Sequence, residues 1–332
     1  MAYQNVGTCR FYVNAYEWAN AVGMSVMADG SEFNPILHTL PVNPIPFTDT
    51  GGLVDLQEYA PEIYTDDIVS PHFLAILGHD FTFNWNAEPE VVATNPGPVV
   101  NARPGDTGYQ GFSLMKTVLP ATRVYLEDGD SGNAGSIMIG TIYDMPNAPN
   151  LSLTMSRDYG STKEFTTYNG SSMSNTMVSK PPKWGDLGAW ELSNGDQSGA
   201  YLSNLSKSGR RSWDLKFSYM DDGDLWGSNQ MLSFIREDIS DGTDSDDYNS
   251  ATKDFNFNLL TDNNFFSQVW HKTLGGTLPF IFQPNVTTQL EGGFVGNNPD
   301  QFAICRFKNS SLEATQSAFN VYDISVSIEE VW

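Results

Sequence analysis

The segment 129–132, with the sequence GDSG, is the part of this chain that most resembles a catalytic motif. It spells the surroundings of the nucleophile in serine proteases, where a tight turn presents a serine hydroxyl and the amide donors of an oxyanion hole. Such a serine needs a histidine as general base, held in place by an acid. None of the histidines of this chain has the Ala-Ala-His-Cys context of those proteases. We therefore interpret 129–132 as a turn and predict no catalytic residue.

Metal chemistry has little support in the spacing of the possible ligands. The four histidines are His38, His72, His79 and His271, and no two of them share a close helical or strand spacing. The acidic segments 221–224 and 241–247 could offer the several oxygen ligands that calcium takes. Neither segment has the calcium-loop spacing with its distal glutamate. We predict solvated acidic turns, a hydrogen-bonded turn residue at His79, and no metal or cofactor.

Three tryptophans in polar or glycine-rich surroundings are the candidate ligand-binding residues: Trp85, Trp184 and Trp190. Aromatic rings in loops can stack on the faces of sugars, and they can also fill a contact between subunits. We favour packing or a subunit contact and keep sugar stacking as the alternative. A glycoside hydrolase also stays open, because 40 acidic residues offer many carboxylate pairs, although no pattern singles out one pair.

The charge of the chain argues against a nucleic-acid partner. Forty acidic and 17 basic residues give a net charge of −23, and Arg10 is the only lysine or arginine before residue 103. Neutralising phosphates requires clustered basic residues, which this chain lacks. The chain has no basic leader followed by an apolar run and no apolar stretch long enough for a membrane helix. We expect folding in a cytoplasm, with no membrane insertion.

Around these residues, the composition predicts a mainly β protein. Aromatic residues make up 13% of the chain, and 29 glycines and 18 prolines favour short strands joined by turns. The clearest periodic stretch is 213–219, WDLKFSY, where large apolar residues alternate with polar ones as on a half-buried strand. The turn at 221–223 ends this strand and leads into a short helix. A second helix is predicted over 262–274, with Asp262 as its cap and Gly275 after its end.

Other strands are predicted at 8–13, 73–78, 112–119, 122–126 and 136–143, and a possible helical turn at 16–22. Beyond them, 151–155 and 163–168 are predicted to pair as a hairpin across 158–161. The segment 144–150, DMPNAPN, is predicted to separate two domains, 1–148 and 149–332. Cys9 and Cys305 lie far apart in sequence, and we predict two buried thiols. Both occur in the tripeptide Cys-Arg-Phe, which we treat as coincidence unless the two strands share a sheet.

Several segments together resemble virion structural proteins of tailed bacteriophages. These segments are CRFYVNAYEWANAVG, FLAILGHDF, GSIMIGTIYDMP, LTMSRDYGSTKEFTTYNGSSMSN, GRRSWDLKFSYMDDGDLW, LGGTLPFIFQPN and ISVSIEEVW. The resemblance implies a galactose-binding-like, jelly-roll-like β-sandwich at 1–148 and a tail-type β-barrel with one flanking helix at 149–332. It also implies subunits that join into rings around the tail axis. The sandwich precedes the barrel here, whereas distal tail proteins usually have the opposite order.

From this resemblance we predict a non-enzymatic structural protein of a phage virion, a ring or attachment component near the tail tip that is assembled in the host cytoplasm. Its expected partners are further copies of the chain, other tail proteins and a host-surface glycan. A carbohydrate-binding module and a capsid decoration protein are the alternatives. The cations beside the 213–219 strand are predicted to make the subunit contact: Lys207, Arg210 and Arg211. Without such cations or an apolar patch, copies carrying −23 charges would repel one another.

Overall fold

In a computed structural model of the chain, the structure describes residues 7–22, 27–28, 31–32, 45–47, 54–55, 72–79, 84–88, 100–102, 111–116, 123–127, 132–134, 136–151, 154–158, 162–176, 210–226, 263–286 and 302–331. The predicted mainly β fold is confirmed within these ranges. Closure of the strands into a barrel and a jelly-roll topology stay predictions.

The described part of the chain contains twenty strands and three short helices. The earlier strands are β1 (Arg10–Val13), β2 (Met27–Ala28), β3 (Ser31–Glu32), β4 (Ile45–Phe47), β5 (Val54–Asp55), β6 (Phe73–His79), β7 (Asn84–Glu88), β8 (Val100–Ala102), β9 (Gly111–Lys116), β10 (Arg123–Glu127), β11 (Gly132–Ala134) and β12 (Ser136–Asp144). The later strands are β13 (Thr154–Asp158), β14 (Thr162–Thr166), β15 (Ser172–Thr176), β16 (Arg210–Asp221), β17 (Phe280–Gln283), β18 (Ala303–Phe307), β19 (Ala314–Ala318) and β20 (Val321–Glu330). The helices are α1 (Ala15–Ala21), α2 (Asp222–Leu225) and a π-helix (Phe266–His271).

Eleven of these strands form one antiparallel sheet. Its order is β13-β16-β20-β18-β17-β1-β12-β6-β9-β8, and β19 pairs with β20 beside this path. Smaller sheets are formed by β5-β10-β7, β11-β4, β14-β15 and β2-β3. The large sheet therefore includes strands from before and after the predicted division at 148.

The middle of the large sheet is buried on both faces. Along β1, Phe11 and Val13 belong to one apolar cluster, while Tyr12 belongs to a second cluster on the opposite face. β17 repeats this arrangement, because Phe280 and Phe282 join the first cluster and Ile281 joins the second. Successive side chains of a strand point to opposite faces, so these short continuous apolar runs are what a doubly covered strand requires.

β1 links the two predicted domains. It pairs with β12 on one side, with Val13 opposite Thr141, and with β17 on the other, with Val13 opposite Phe280. The division between 148 and 149 stays a prediction, and any such division has to accommodate a strand from the first part that lies beside a strand of the second.

The predicted 213–219 strand is confirmed as the centre of β16. Trp213, Leu215 and Phe217 are at most 5% exposed, and polar residues between them face outward. Tyr219, however, is 80% exposed, so its predicted place on the inner face is wrong. A β-bulge shifts the register between Phe217 and Met220, and Met220 takes the buried position instead. Bulges insert one residue and re-aim the side chains around it.

The helix predicted over 262–274 is a π-helix of six residues that covers one face of the sheet. The amide of Ser267 donates to the Asn264 Oδ1 atom over 2.8 Å, so Asn264 caps the first turn, and Asp262 lies outside the described residues. At the other end Gly275 has φ +65° and its amide donates to the carbonyl of Trp270. Phe265, Val269 and Trp270 enter the first cluster, and Phe266 packs against it as a partly buried residue. A short helix, α2, does follow β16, but it begins at Asp222, inside the predicted turn 221–223.

Two other predictions have different outcomes. The hairpin of 151–155 with 163–168 is wrong, because β13 pairs with β16, and β14 pairs with β15. The two cysteines are free and buried, as predicted. Their strands do share the sheet, on either side of β17, but Cys305 lies in the row of Phe280 and Val13, so the two Cys-Arg-Phe tripeptides are not equivalent in register.

Candidate assembly surface

The candidate functional site is sought among three places where large apolar side chains face solvent. Isolated exposed apolar residues are common, but a group on neighbouring elements indicates an interaction site. Here such residues occur in three separate places: the β14–β15 hairpin, the edge strand β13, and the end of the sheet formed by β16, β20 and β19. The exposed large apolar residues of these elements are Met155, Phe165, Tyr168, Met173, Tyr219 and Phe319.

The hairpin of β14 and β15, residues 162–176, is named the hairpin arm. Phe165 lies directly opposite Met173, and the two side chains are 56% and 61% exposed. Residues opposite one another in an antiparallel pair share a face, so this face of the arm is apolar and open to solvent. The ring of Tyr168 in the turn is fully exposed. The arm thus carries apolar groups without a core of its own.

The turn of the hairpin arm is closed by local hydrogen bonds. The amide and the hydroxyl of Thr167 both donate to the carbonyl of Ser171, each over 2.8 Å. Gly170 adopts φ +82°, a conformation that glycine tolerates because it has no Cβ. An isolated two-stranded hairpin is marginally stable in water. A partner surface on Phe165 and Met173 would therefore stabilise the arm.

A second exposed aromatic pair lies at one end of the large sheet and is named the aromatic tip, residues Tyr219 and Phe319. Tyr219 has φ +62° and is 80% exposed, and Phe319, in the turn between β19 and β20, is 81% exposed. The pairing of Asp221 and Ala318 with the same residue, Val321, places both rings at this end. Positive φ costs a tyrosine roughly 1–2 kcal/mol. Such strain is often found where a side chain has a functional contact.

The edge strand β13 is exposed along its whole length, and all five of its residues face solvent. Its pairing with β16 places Met155 opposite Trp213 and Arg157 opposite Arg211. Met155 is 49% exposed, whereas Trp213 is 3% exposed. The inner face of the sheet is therefore buried at β16 and open to solvent at β13.

Of the three predicted assembly cations, the structure places one in the interior. Arg211 is 4% exposed, its Nη2 atom lies 3.2 Å from the Glu330 Oε1 atom, and the same nitrogen donates to the carbonyl of Phe302 over 2.7 Å. The expectation that Arg211 offers its charge to a neighbouring subunit is therefore wrong. Arg210, one residue earlier on the strand, faces outward and is exposed. Lys207 lies outside the described residues.

Of the three candidate sugar-stacking tryptophans, only Trp85 lies among the described residues. Trp85 lies within β7, opposite Leu126 of β10, and not in a loop as the sequence indicated. Trp184 and Trp190 lie outside the described residues. Sugar stacking by these rings stays a prediction.

The residues considered for chemistry are also dispersed. Of segment 129–132, only Gly132 is described, as the first residue of β11, and His38 lies outside the described ranges. His271 packs its ring against Trp18 at 5.6 Å between centroids, and burial together with Lys272 lowers its pKa. The same two causes lower the pKa of His72. Within the described ranges, no group of three possible ligands could hold a metal ion, and no helix could span a membrane.

Two buried charged groups occur near the ends of β1 and the π-helix. Glu17 of α1 is 9% exposed, and burial raises its pKa from 4.5 to about 7, although Arg306 and Asn14 oppose this shift. Lys272 is 1% exposed, and burial lowers its pKa to about 8. The Nζ atom of Lys272 donates to the Gln268 Oε1 atom over 2.7 Å. Burial therefore favours the uncharged form of both groups in the folded chain.

A polar groove of about 490 Å³ opens on the outward face of β16, β19 and β20. Asn309 holds its wall in place, because its Oδ1 atom accepts a hydrogen bond from the amide of Ser327 over 2.6 Å. The groove is lined by two lysines, two carboxylates, hydroxyls and an amide: Lys216, Lys308, Asn309, Ser310, Ser311, Glu313, Thr315, Asp323 and Ser325.

The sequence analysis missed the hairpin arm and the aromatic tip. A signal for the arm was present in the Asn-Gly pair at 169–170, which is typical of hairpin turns. The aromatic tip had no such signal, because the alternation through 213–219 places Tyr219 inside. Comparison of the chain with family models, with curated proteins and with solved structures found no match.

Proposed function

We propose that the chain is a structural subunit of a tailed-bacteriophage virion, which joins further copies into a ring or attachment component near the tip of the tail. The proposal combines the sequence resemblance with one structural observation, the exposed apolar face of the hairpin arm. Identical subunits that surround an axis meet through heterologous contacts that close under rotation.

The hairpin arm supports a subunit role because its composition fits an interface better than a free surface. Phe165, Tyr168 and Met173 are aromatic residues and a methionine, types that are enriched in protein–protein interfaces. Burial of such a side chain contributes roughly 1.5–3 kcal/mol. Contacts of this kind could offset the repulsion between subunits that each carry 23 net negative charges.

The arm variant Phe165→Ser with Met173→Ser tests the proposal. We expect the purified chain to sediment as a defined oligomer and the variant to sediment as a folded monomer that still unfolds in one cooperative transition. The matched control is Ser174→Ala on the opposite face of the same arm, where Ser174 lies opposite Glu164, is exposed and has no apolar contact to lose. Gold-labelled antibodies against the chain should mark the tail tip of the virion. Labelling of the head, or an arm variant that assembles normally, would contradict the proposal.

A second candidate function is binding of a host-surface saccharide, and the polar groove favours it. Its lining mixes cations, carboxylates and hydroxyls, which can serve the paired donor and acceptor groups of a sugar. Its volume of about 490 Å³ lies in the range of small-ligand clefts, roughly 300–1,000 Å³. Saturation-transfer NMR with galactose, glucose and N-acetylglucosamine should show contacts that Ser325→Trp abolishes. Equal signals for the variant and the unchanged chain would exclude the groove.

A further inference from the structure

We propose that the polar groove and the ring of Tyr219 form one binding site for a neutral oligosaccharide, with one sugar in the groove and the next sugar stacked on the ring. This inference rests on the second candidate function, saccharide binding in the groove, because it names the class of sugar and the residue that completes the site. It does not depend on the proposed subunit role.

The β-bulge of β16 brings Tyr219 to the margin of the groove. The register of β16 against β20 shifts between Phe217 and Met220. Two residues, Ser218 and Tyr219, therefore lie opposite the single residue Asp323. Asp323 lines the groove. Phe217 and Met220 are fully buried, whereas Tyr219 is 80% exposed, so the bulge turns this ring away from the core beside the groove.

Two asparagines from the segment after β12 hold the bulge in one conformation. The Nδ2 atom of Asn147 donates to the carbonyl of Tyr219 over 3.1 Å, and the Nδ2 atom of Asn150 donates to the Ser218 Oγ atom over 2.9 Å. Tyr219 itself has φ +62°, which a glycine would adopt without strain. A ring whose backbone is already fixed loses less conformational entropy when a ligand packs on it. The stacking position is therefore preformed.

The charges of the groove favour an uncharged sugar. Its lining contains two lysines and two carboxylates, so its formal charge is zero: Lys216, Lys308, Glu313 and Asp323. Each lysine already has a carboxylate within 3.5 Å, which is Asp323 for Lys216 and Glu329 for Lys308. An anionic sugar would have to compete with these carboxylates, and the net charge of −23 would repel it.

A neutral sugar can use the ion pair of Lys216 and Asp323 without breaking it. The ammonium group donates hydrogen bonds and the carboxylate accepts them, whereas a sugar hydroxyl does both. Neighbouring hydroxyls of one sugar can therefore contact both charged groups together. The two side chains are 51% and 24% exposed, so a ligand can reach them. The apolar C–H face of the next sugar would then lie on the ring of Tyr219.

Saturation-transfer NMR of the full chain tests the class of sugar. The neutral probes are lactose, maltotriose and triacetylchitotriose, and the acidic probe is trigalacturonic acid. We expect at least one neutral probe to bind and the acidic probe to bind more weakly or not at all, because the lysines of the groove are already paired.

Variants of Tyr219 test the stacking contact. Tyr219→Gly removes the ring and relieves the positive φ, so it should melt no lower than the unchanged chain. Its dissociation constant for the bound neutral probe should rise about tenfold. Tyr219→Phe keeps the ring and should bind as the unchanged chain does. The matched control, Phe319→Ala, removes an 81% exposed ring from the turn after β19 and should leave the affinity unchanged.

The outcomes separate this inference from the functions proposed above. Equal binding by Tyr219→Gly and the unchanged chain, or tighter binding of trigalacturonic acid than of every neutral probe, would overturn the inference and leave saccharide binding in the groove standing. Loss of binding by Tyr219→Phe would assign the contact to the hydroxyl group and would also overturn stacking. If no neutral probe binds, the inference and the second candidate function both fail, whereas the subunit role still depends on sedimentation of the arm variant.

Discussion

The strand pair β16–β20 and the hairpin arm have the same local geometry, but the apolar face of the first is buried and that of the second is exposed. In both, residues opposite one another share a face, as Leu215 and Val326 do in the first and Phe165 and Met173 do in the second. Leu215 and Val326 are at most 5% exposed, whereas Phe165 and Met173 are more than half exposed. The difference shows that an apolar strand face is a core face only where another element covers it. The inner residues of β16 share one apolar cluster with residues of the π-helix and β17, and no described element covers the arm.

The largest effect that distinguishes the two regions should come from Phe217→Asp. Phe217 is fully buried in the first cluster, and an unpaired charge there costs several kcal/mol of folding free energy. We expect the variant to lose cooperative unfolding or to be insoluble.

The matched change Phe165→Asp on the hairpin arm should alter the free energy of unfolding by less than about 0.5 kcal/mol, because the side chain is already in water. Urea unfolding followed by tryptophan fluorescence measures both variants. Equal destabilisation by the two changes would mean that the arm also packs as a core element.

A smaller effect is expected from the adjacent arginines. Arg211→Gln removes the partner of a buried carboxylate, Glu330, and should destabilise the chain by roughly 3 kcal/mol. Arg210→Gln, at the exposed neighbouring position, should cost less than about 1 kcal/mol. Chemical unfolding at pH 7 measures both. A similar cost for the two changes would contradict the burial of Arg211.

Glu17→Gln should stabilise the chain in a pH-dependent way. The carboxyl group has a pKa of about 7 in the folded chain and about 4.5 when unperturbed, so the folded state holds its proton more tightly. The carboxylate therefore destabilises the fold as the pH rises from 4.5 through 7, by up to roughly 3 kcal/mol. We expect the variant to melt higher than the unchanged chain at pH 8 and equally at pH 4.5.

The control for this prediction is Glu329→Gln, whose side chain is 45% exposed beside Lys308. It should change stability by less than about 1 kcal/mol at either pH. A Glu17 variant with the same small change at pH 8 would mean that the carboxyl group is hydrated in the folded chain.

The smallest effect on stability should come from Arg157→Glu at the sheet edge. All residues of β13 are exposed, so the change should leave the free energy of unfolding within about 0.5 kcal/mol of the original value. Thermal unfolding measures this change in stability. A destabilised variant would indicate that Arg157 stabilises the monomer.

The sequence predicted the elements that burial specifies and missed those that a distant partner or a local irregularity determines. Alternation through 213–217 identified β16 and its inner face, since one face of that strand is covered. It failed at Tyr219, because the β-bulge inserts one residue, and the side chains after it therefore point to the opposite face from the one that the alternation predicts. It also failed at Arg211, whose partner Glu330 is 119 residues away in sequence. The hairpin arm was paired wrongly, because composition alone does not fix register.

The central position of β1 has a consequence for how the chain is synthesised. β17, which forms one of its two neighbours, ends at residue 283, so 270 residues have to be added after Val13 before this edge of β1 can be paired. At about 5–20 residues per second, translation of that length takes roughly 14–54 s. During this interval the apolar strand RFYV presents an open edge in the nascent chain. Completion of the large sheet is therefore a late event of biosynthesis.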